Sequence, residues 1–533
     1  MARPRVEDVQ QGFAGGLNTS ADSSQMAANE VRRAENARLT EYGGIQKRLG
    51  TQRMHGTTLG SINGGFAWMQ PTTSYHFVAA GGSVKTSPLG TAPLTWTTLT
   101  GSIASTGLID FAAFRDGSGE IVYIADGGAL NKADATTLTT NLAGTPNAVS
   151  LTVYNQRLYA VDGTTQTLYA SAINNGDSLG VTGSGGIVAI IRSIGNQECF
   201  AVRTLRSSLA IFHRSGISRF TGITIDDIDI DEGVQGFSEQ VGTIAKKSLV
   251  SVEGEVFFFA EQGFYRLSET GLENISLKID TVTRAVPSDV INRIVGAHDK
   301  LRHEVRWYVP DVGVYVYNYV LKAWSGPWNG IYKTSGVRAM WNTEAAGSLP
   351  SQVFIGSTDG FVRLCDSSTG LDDALAEPPG GGGAWAEGAW ASGAWESGVW
   401  ETAPGSSSDL GGNDVTMVVQ CHRLFFGDEA TEKAFRFGYV LADMRGSTDA
   451  YARWRSGVGT TDFTLEGDTT VESSEWGTGL WGAGSWGSGG GTELFEIQGN
   501  GRGRYYDFFL YDTGPGETLF SRVRLEAFNM TRR

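Results

Sequence analysis

EVFFFAEQGFYRLSE, residues 255–269, decides the fold. An unbroken run of apolar residues meets a polar turn at Glu261, Gln262 and Gly263, then continues as a second strand. Gly supplies the backbone freedom that such a turn needs. The same phrase stands six more times in the chain. It reads SYHFVAAGGSVKTS at 74–87, EIVYIADGGALNKAD at 120–134, QRLYAVDGTTQTLYAS at 156–171 and SLAIFHRSGISRF at 208–220. Two further copies are EVRWYVPDVGVYVYNYV at 304–320 and QVFIGSTDGFVRLCD at 352–366. They recur at roughly 36 to 51 residues, a spacing that fits the blades of a propeller. A lone hairpin cannot bury its apolar face in water, but a ring of sheets packed on their neighbours can.

The expected fold is therefore all-β: a β-propeller of six or seven blades over residues 56–373, with further units on either side. At 533 residues the chain has room for two or three cores. Its 73 glycines, against only 19% charged residues, favour many tight turns over long helices.

Residues 1–55 read as an N-terminal docking segment. Asp22 and Gln25, spaced as in a capping box, predict a short helix, and two strand-like pieces flank Gly43 and Gly44. Arg32, Arg33, Arg38, Lys47, Arg48 and Arg53 make this stretch locally basic. They form either a solvated face or a docking arm for an acidic surface on a neighbouring subunit. Residues 374–413 read as a Gly/Trp-rich linker or insertion, with Trp385, Trp390, Trp395 and Trp400 five apart. Residues 414–533 read as a β-sandwich-like domain, interrupted at 474–491 by a second tract that holds Trp476, Trp481 and Trp486. A five-residue step matches neither helix nor strand. Exposed Trp is costly in water, so these rings are candidate partner or tip contacts, covered in the working assembly.

The net charge of −15 argues against tight binding of nucleic acid by bulk electrostatics, yet is compatible with a duct that DNA slides through. No apolar run is long enough to span a bilayer and no signal-like start is present, so synthesis in a cytoplasm and no membrane insertion are expected. Cys199, Cys365 and Cys421 are an odd, scattered set without metal-ligand spacing, which points to free thiols.

Motifs that would carry chemistry are few. GTGLWG, Gly477 to Gly482, satisfies GxGxxG but lacks the strand before it and the helix after it. TIDDIDIDEG at 224–233 places Asp227, Asp229 and Asp231 on one strand face. As a calcium loop it fails, with Glu232 where Gly is needed and Ser238 in place of the bidentate Glu. A solvated face is the simpler reading, and lining of a channel the functional one. His298 and His303, the one close histidine pair, flank a turn. No catalytic residue, metal site or cofactor is assigned, and no enzymatic activity is expected.

Several of these segments together resemble the tail nozzle and packaged-DNA stabilisation proteins of short-tailed bacteriophages. The likeness is carried by AGGLNTS, then N-x-x-L at Asn36–Leu39, then G-G-[IL]-x-[KR]-R-x-G at Gly43–Gly50. FFF before the turn and GFYRL after it, a YxxxLKxWS turn at Tyr317–Ser325, and NGRGRYYDFFLYD near the end complete it. The resemblance implies a structural virion protein, made in the host cytoplasm and built into the tail. Six copies would form a ring below the portal and its adaptor protein, bearing a tail fibre or needle. Double-stranded DNA would be retained and then ejected, passing without sequence-specific binding. The alternative is a carbohydrate-binding or glycan-cleaving propeller, suggested by the Trp content.

Overall fold

The computed structural model describes residues 5–10, 12–22, 25–117, 119–222, 234–345, 349–367, 371–373, 413–424, 433–445, 450–456, 463–465, 492–503, 506–513 and 517–529. The chain is all-β and divides into two units. One comprises Thr57–Val314 and Tyr332–Arg363; the other comprises Met1–Gly56, Tyr315–Ile331 and Leu364–Arg533.

The first unit is a succession of antiparallel sheets, and each quoted phrase supplies the second and third strands of one of them. The first sheet runs Ile62–Trp68, Tyr75–Ala80, Ser83–Pro88 and Thr97–Thr98. The second runs Asp110–Asp116, Gly119–Ala125, Asn131–Ala133 and Leu138–Thr139. The third is Ser150–Tyr154, Arg157–Val161, Thr167–Ala170 and Ile187–Ile190. The fourth is Cys199–Thr204, Leu209–His213, Ile217–Phe220 and Val234–Ser238. The fifth is Val250–Val252, Glu255–Ala260, Gly263–Leu267 and Leu272–Asn274. The sixth opens with Val295–Asp299 and Glu304–Val309, the seventh with Val337–Thr343 and Gln352–Ser357.

Continuous apolar second strands follow from this packing. A sheet covered on both faces has no face to give to water, so its strands lose the usual polar alternation. In Leu209–His213 every residue is buried. Leu209 and Ile211 join the core shared with the third sheet, while Ala210 and Phe212 join the core shared with the fifth. The second sheet divides the same way, with Val122 and Ile124 toward the first sheet and Tyr123 and Ala125 toward the third. Truncating one such side chain, Phe212 for example, costs about 3–5 kcal/mol.

The succession returns to its start. Phe264 of the fifth sheet packs on Trp307 of the sixth at 4.6 Å, and the Trp307 Nε1–H donates to Ser248 O at 2.8 Å. Strand Val295–Asp299 packs on Val337–Thr343, which in turn packs on Ile62–Trp68. There the Trp341 ring of the seventh sheet lies where a Cβ on Gly65 would stand. His76 of the first sheet lies 4.6 Å from the Phe354 ring, and Trp341 Nε1 donates to its Nδ1 at 3.4 Å. The arrangement is propeller-like.

The second unit interleaves the two ends of the chain. One sheet orders Ala37–Leu39, Ile45–Lys47, Glu517–Asn529, Lys433–Arg445 and Thr492–Gly503, with Arg5–Gln10 also pairing to Glu517–Asn529. The other includes Ala323–Trp328, Glu30–Glu35, Met417–Cys421, Tyr506–Asp512, Ala450–Ser456 and Phe463–Leu465 in that order. Residues 5–53 are therefore not a segment apart: strands Arg5–Gln10, Glu30–Glu35 and Ile45–Lys47 hydrogen-bond to strands of residues 413–529. Among the described residues from Asp22 to Glu35, the expected helix does not form. Gln25 N–H donates to Asp22 O in a simple turn at 2.9 Å, and Glu30–Glu35 is a strand. Its neighbours on both sides supply the ladder bonds, and tertiary pairing outweighs local propensity.

Candidate functional site

Among the described residues, polar side chains converge within each unit. In the propeller-like unit, Asp110 opens the second sheet and Ser150 the third. The Asp110 carboxylate accepts from Lys247 Nζ at 2.7 Å, from Arg203 Nη1 at 3.2 Å, from Ser150 Oγ at 3.2 Å and from Leu151 N–H at 3.0 Å. Arg203 Nη1 also donates to the carbonyls of Leu151 and Val202 at 3.1 and 2.9 Å. Lys246 Nζ donates to Val149 O at 3.0 Å. The Lys247 carbonyl receives Gly296 N–H of the sixth sheet at 2.9 Å. One cluster thus ties the second, third, fourth and sixth sheets, at their first strands, to the lead-in of the fifth.

Its electrostatics follow from burial. Desolvation alone would push the Asp110 carboxyl up, but Arg203 and Lys247 outweigh it and hold the group well below the usual carboxylate range. Burial lowers Lys247, with Asp110 opposing. Lys246 is pushed down to about 8, first by burial, then by Lys247, against the pull of Asp110.

In the other unit, the residues that carry the family resemblance form a knot. Asn36 adopts a left-handed backbone, φ 49°. Its Nδ2 donates to Asn329 Oδ1 at 2.5 Å and Thr416 O at 2.7 Å, while its Oδ1 accepts from Arg48 Nε at 3.0 Å and Asn329 N–H at 2.9 Å. Arg48 is fully buried and grips Asp372 with two parallel bonds of 2.7 and 2.5 Å. The backbone at Gly50 runs against that of Leu371 so closely that any Cβ would collide with it. Lys47 reaches Asp512 at 3.3 Å, both buried. Arg38 pairs with Asp366 at 2.6 Å under the Trp328 ring.

These contacts correct the reading of the basic stretch. Arg38, Lys47 and Arg48 are buried ion-pair partners inside their own unit, neither a solvated face nor a docking arm. Arg32 and Arg33 are exposed, and Arg33 forms a bidentate pair with Glu35 at 2.7 and 2.8 Å. The sequence could not separate the two groups because basic residues look alike until their partners, far along the chain, are placed. Asp227, Asp229 and Asp231 lie outside the described residues, as do the GTGLWG motif and Trp385, Trp390, Trp395, Trp400, Trp476, Trp481 and Trp486.

Other features offer less chemistry. Cys199, Cys365 and Cys421 are buried free thiols. Cys199 Sγ lies 4.0 Å from His213 Nδ1, but burial pushes the thiol up to about 12 and the imidazole down, the reverse of an activated pair. His298 is half-buried and also pushed down by burial. Among the described residues no group of three His, Cys, Asp or Glu is placed to hold a metal ion, and no helix is long and apolar enough to cross a membrane. An open depression of about 740 Å³, lined by Gly12, Thr40, Tyr42, Gln46, Leu519 and Arg522 among others, surrounds the hairpin tip at Tyr42, which is 97% exposed.

No family model and no curated protein matches the chain. Among solved structures, one described as "Structure of U3-55K" is similar over 60% of this chain and 98% of that one, at 10% identity and a TM-score of 0.40. A likeness of that grade carries no argument about function.

Proposed function

We propose that this chain is a structural protein of a bacteriophage virion, a subunit of the nozzle through which DNA leaves a short tail. In this reading the succession of sheets is a seven-bladed propeller. The second unit is a two-sheet sandwich, and six copies form a ring beneath the portal's adaptor. A fibre or needle attaches to the outside or tip. The protein carries no catalytic machinery; its work is to hold, contain and release.

One observation carries the reading. The residues through which the chain resembles that family are structurally committed ones. Asn36 and Arg48 bind Asn329 and Asp372, Gly50 admits the backbone of Leu371, and Lys47 neutralises Asp512. Such a motif specifies how distant segments are knitted together, which is the demand on a rigid subunit and not on a reaction centre.

In this reading the DNA duct runs through the ring formed by the copies. An acidic surface would repel phosphate and let the duplex slide. Each copy must then present two different, complementary faces to its neighbours.

Mixing the purified chain with a portal–adaptor complex and imaging the product tests the proposal. The expected result is a six-fold ring at the adaptor's distal end. A chain that stays monomeric beside its adaptor, or that turns over a substrate alone, would overturn it. Deleting residues 380–401 separates the glycan-binding reading: a lectin loses sugar binding, whereas a nozzle subunit keeps its ring.

A further inference from the structure

We infer that Lys246, Lys247 and Arg203 form a binding site for a small oxyanion, such as phosphate or a free carboxylate, between the first strand of the fourth sheet and the lead-in to the fifth. The inference does not depend on the nozzle reading.

Charge is the first argument. Arg203 and Lys247 share a single carboxylate, Asp110, while Lys246 beside them donates to the Val149 carbonyl, and among the described residues no second acid is paired with any of the three. The cluster therefore holds two positive charges in excess, in a setting where burial makes each one costly. A bound anion would relieve that cost; water alone does so poorly.

Donor supply is the second. An ammonium group has three N–H donors. Lys246 uses one on the Val149 carbonyl and Lys247 one on Asp110. The remaining donors on these adjacent residues are available for an acceptor that carries several oxygens, and charge-assisted bonds of this kind are the strong ones. Access is the third. The Lys247 and Arg203 side chains keep 16% and 15% of their surface, and Lys246 is half-buried, so the cluster is shielded yet reachable from solvent.

Binding would be linked to pH. Lys246 sits at about 8 because burial and the charge of Lys247 and Arg203 outweigh Asp110. An anion favours its protonated form, so affinity should be full below that value and fall above it as the amine loses its proton.

The probe is inorganic phosphate, with chloride at matched ionic strength as control. Amine-selective acylation of the intact chain, read residue by residue by mass spectrometry, should show Lys246 reacting with a midpoint near 8 and phosphate protecting it. Calorimetric affinity for phosphate should drop about tenfold in Lys246→Gln, the loss expected for one charge-assisted bond. Acetate in place of phosphate distinguishes a carboxylate-preferring site from a phosphate-preferring one. Lys246 labelling that is indifferent to both anions while chloride is held constant would overturn the site, and that readout needs no variant to fold. Equal phosphate affinity in wild type and a folded Lys246→Gln would overturn it too.

Discussion

Lys247 Nζ lies 2.7 Å from the carboxylate of Asp110, joining the lead-in to the fifth sheet with the first residue of the second. The second and fifth sheets are separated in the succession by the third and fourth. The contact joins two sheets that are not neighbours in the succession, and Arg203 of the fourth sheet pairs with the same carboxylate.

Removing the Asp110 charge should therefore be far more damaging than its single position suggests. We expect Asp110→Asn to destabilise by about 3–5 kcal/mol, because it leaves buried cations without a counter-charge. Pairing it with Lys247→Met should recover part of that loss. Denaturant midpoints across the double-mutant cycle measure this, and strictly additive losses would show that the two groups do not act as a pair. The carboxyl is also held well below its ordinary range, so its contribution is complete above the unfolded value, about 3.8, and disappears as pH falls through the folded one.

His76 supplies an acid-sensitive joint where the first and seventh sheets meet. Burial lowers its imidazole from 6.5 to about 4. Between those values the unfolded chain binds a proton that the folded one refuses. Stability is thus whole above about 6.5 and falls by about 3 kcal/mol as pH drops to 4. His76→Phe should flatten this part of the stability profile between pH 7 and 4. An unchanged slope would assign the acid sensitivity elsewhere.

Gly65 is fixed by its neighbour, not by its own backbone. A methyl group there enters the Trp341 ring, so Gly65→Ala should cost about 1–3 kcal/mol through overpacking. Adding Trp341→Leu should return part of that loss. Thermal unfolding followed by Trp fluorescence tests both, and a neutral Gly65→Ala would mean that the two sheets separate easily.

Arg48 and Asp372 should tolerate no conservative exchange. Their two parallel bonds need a planar fork, which lysine lacks. We expect Arg48→Lys to lose about 2 kcal/mol or more, and Asp372→Asn about 3–5 kcal/mol. Limited proteolysis of residues 5–53 offers a second readout, since these strands should open first. Wild-type resistance in Arg48→Lys would refute the prediction.

The strand pairs of the seven sheets were legible because their signal is local. A run such as EVFFFA followed by a glycine turn can bury itself in only one way, as a hairpin between two other sheets. The hairpin around Gly43 and Gly44 was legible for the same reason, and pairs Ala37–Leu39 with Ile45–Lys47. The helix after Asp22 was misread because a capping pattern reports what a segment prefers alone. Glu30–Glu35 instead answers to the backbone donors and acceptors of Met417–Cys421. Arg38, Lys47 and Arg48 looked like surface charge because Asp366, Asp512 and Asp372, their partners, lie hundreds of positions later.

Sequence alone determined the all-β character, the recurring hairpins and the turns between them, since apolar runs and glycine act over a few residues. Only the tertiary structure decided which charges are buried and which residues meet. Asp110, Arg203, Lys246 and Lys247 carry no mutual signal along the chain, because attraction between charges depends on distance in space and the packing of the sheets sets that distance.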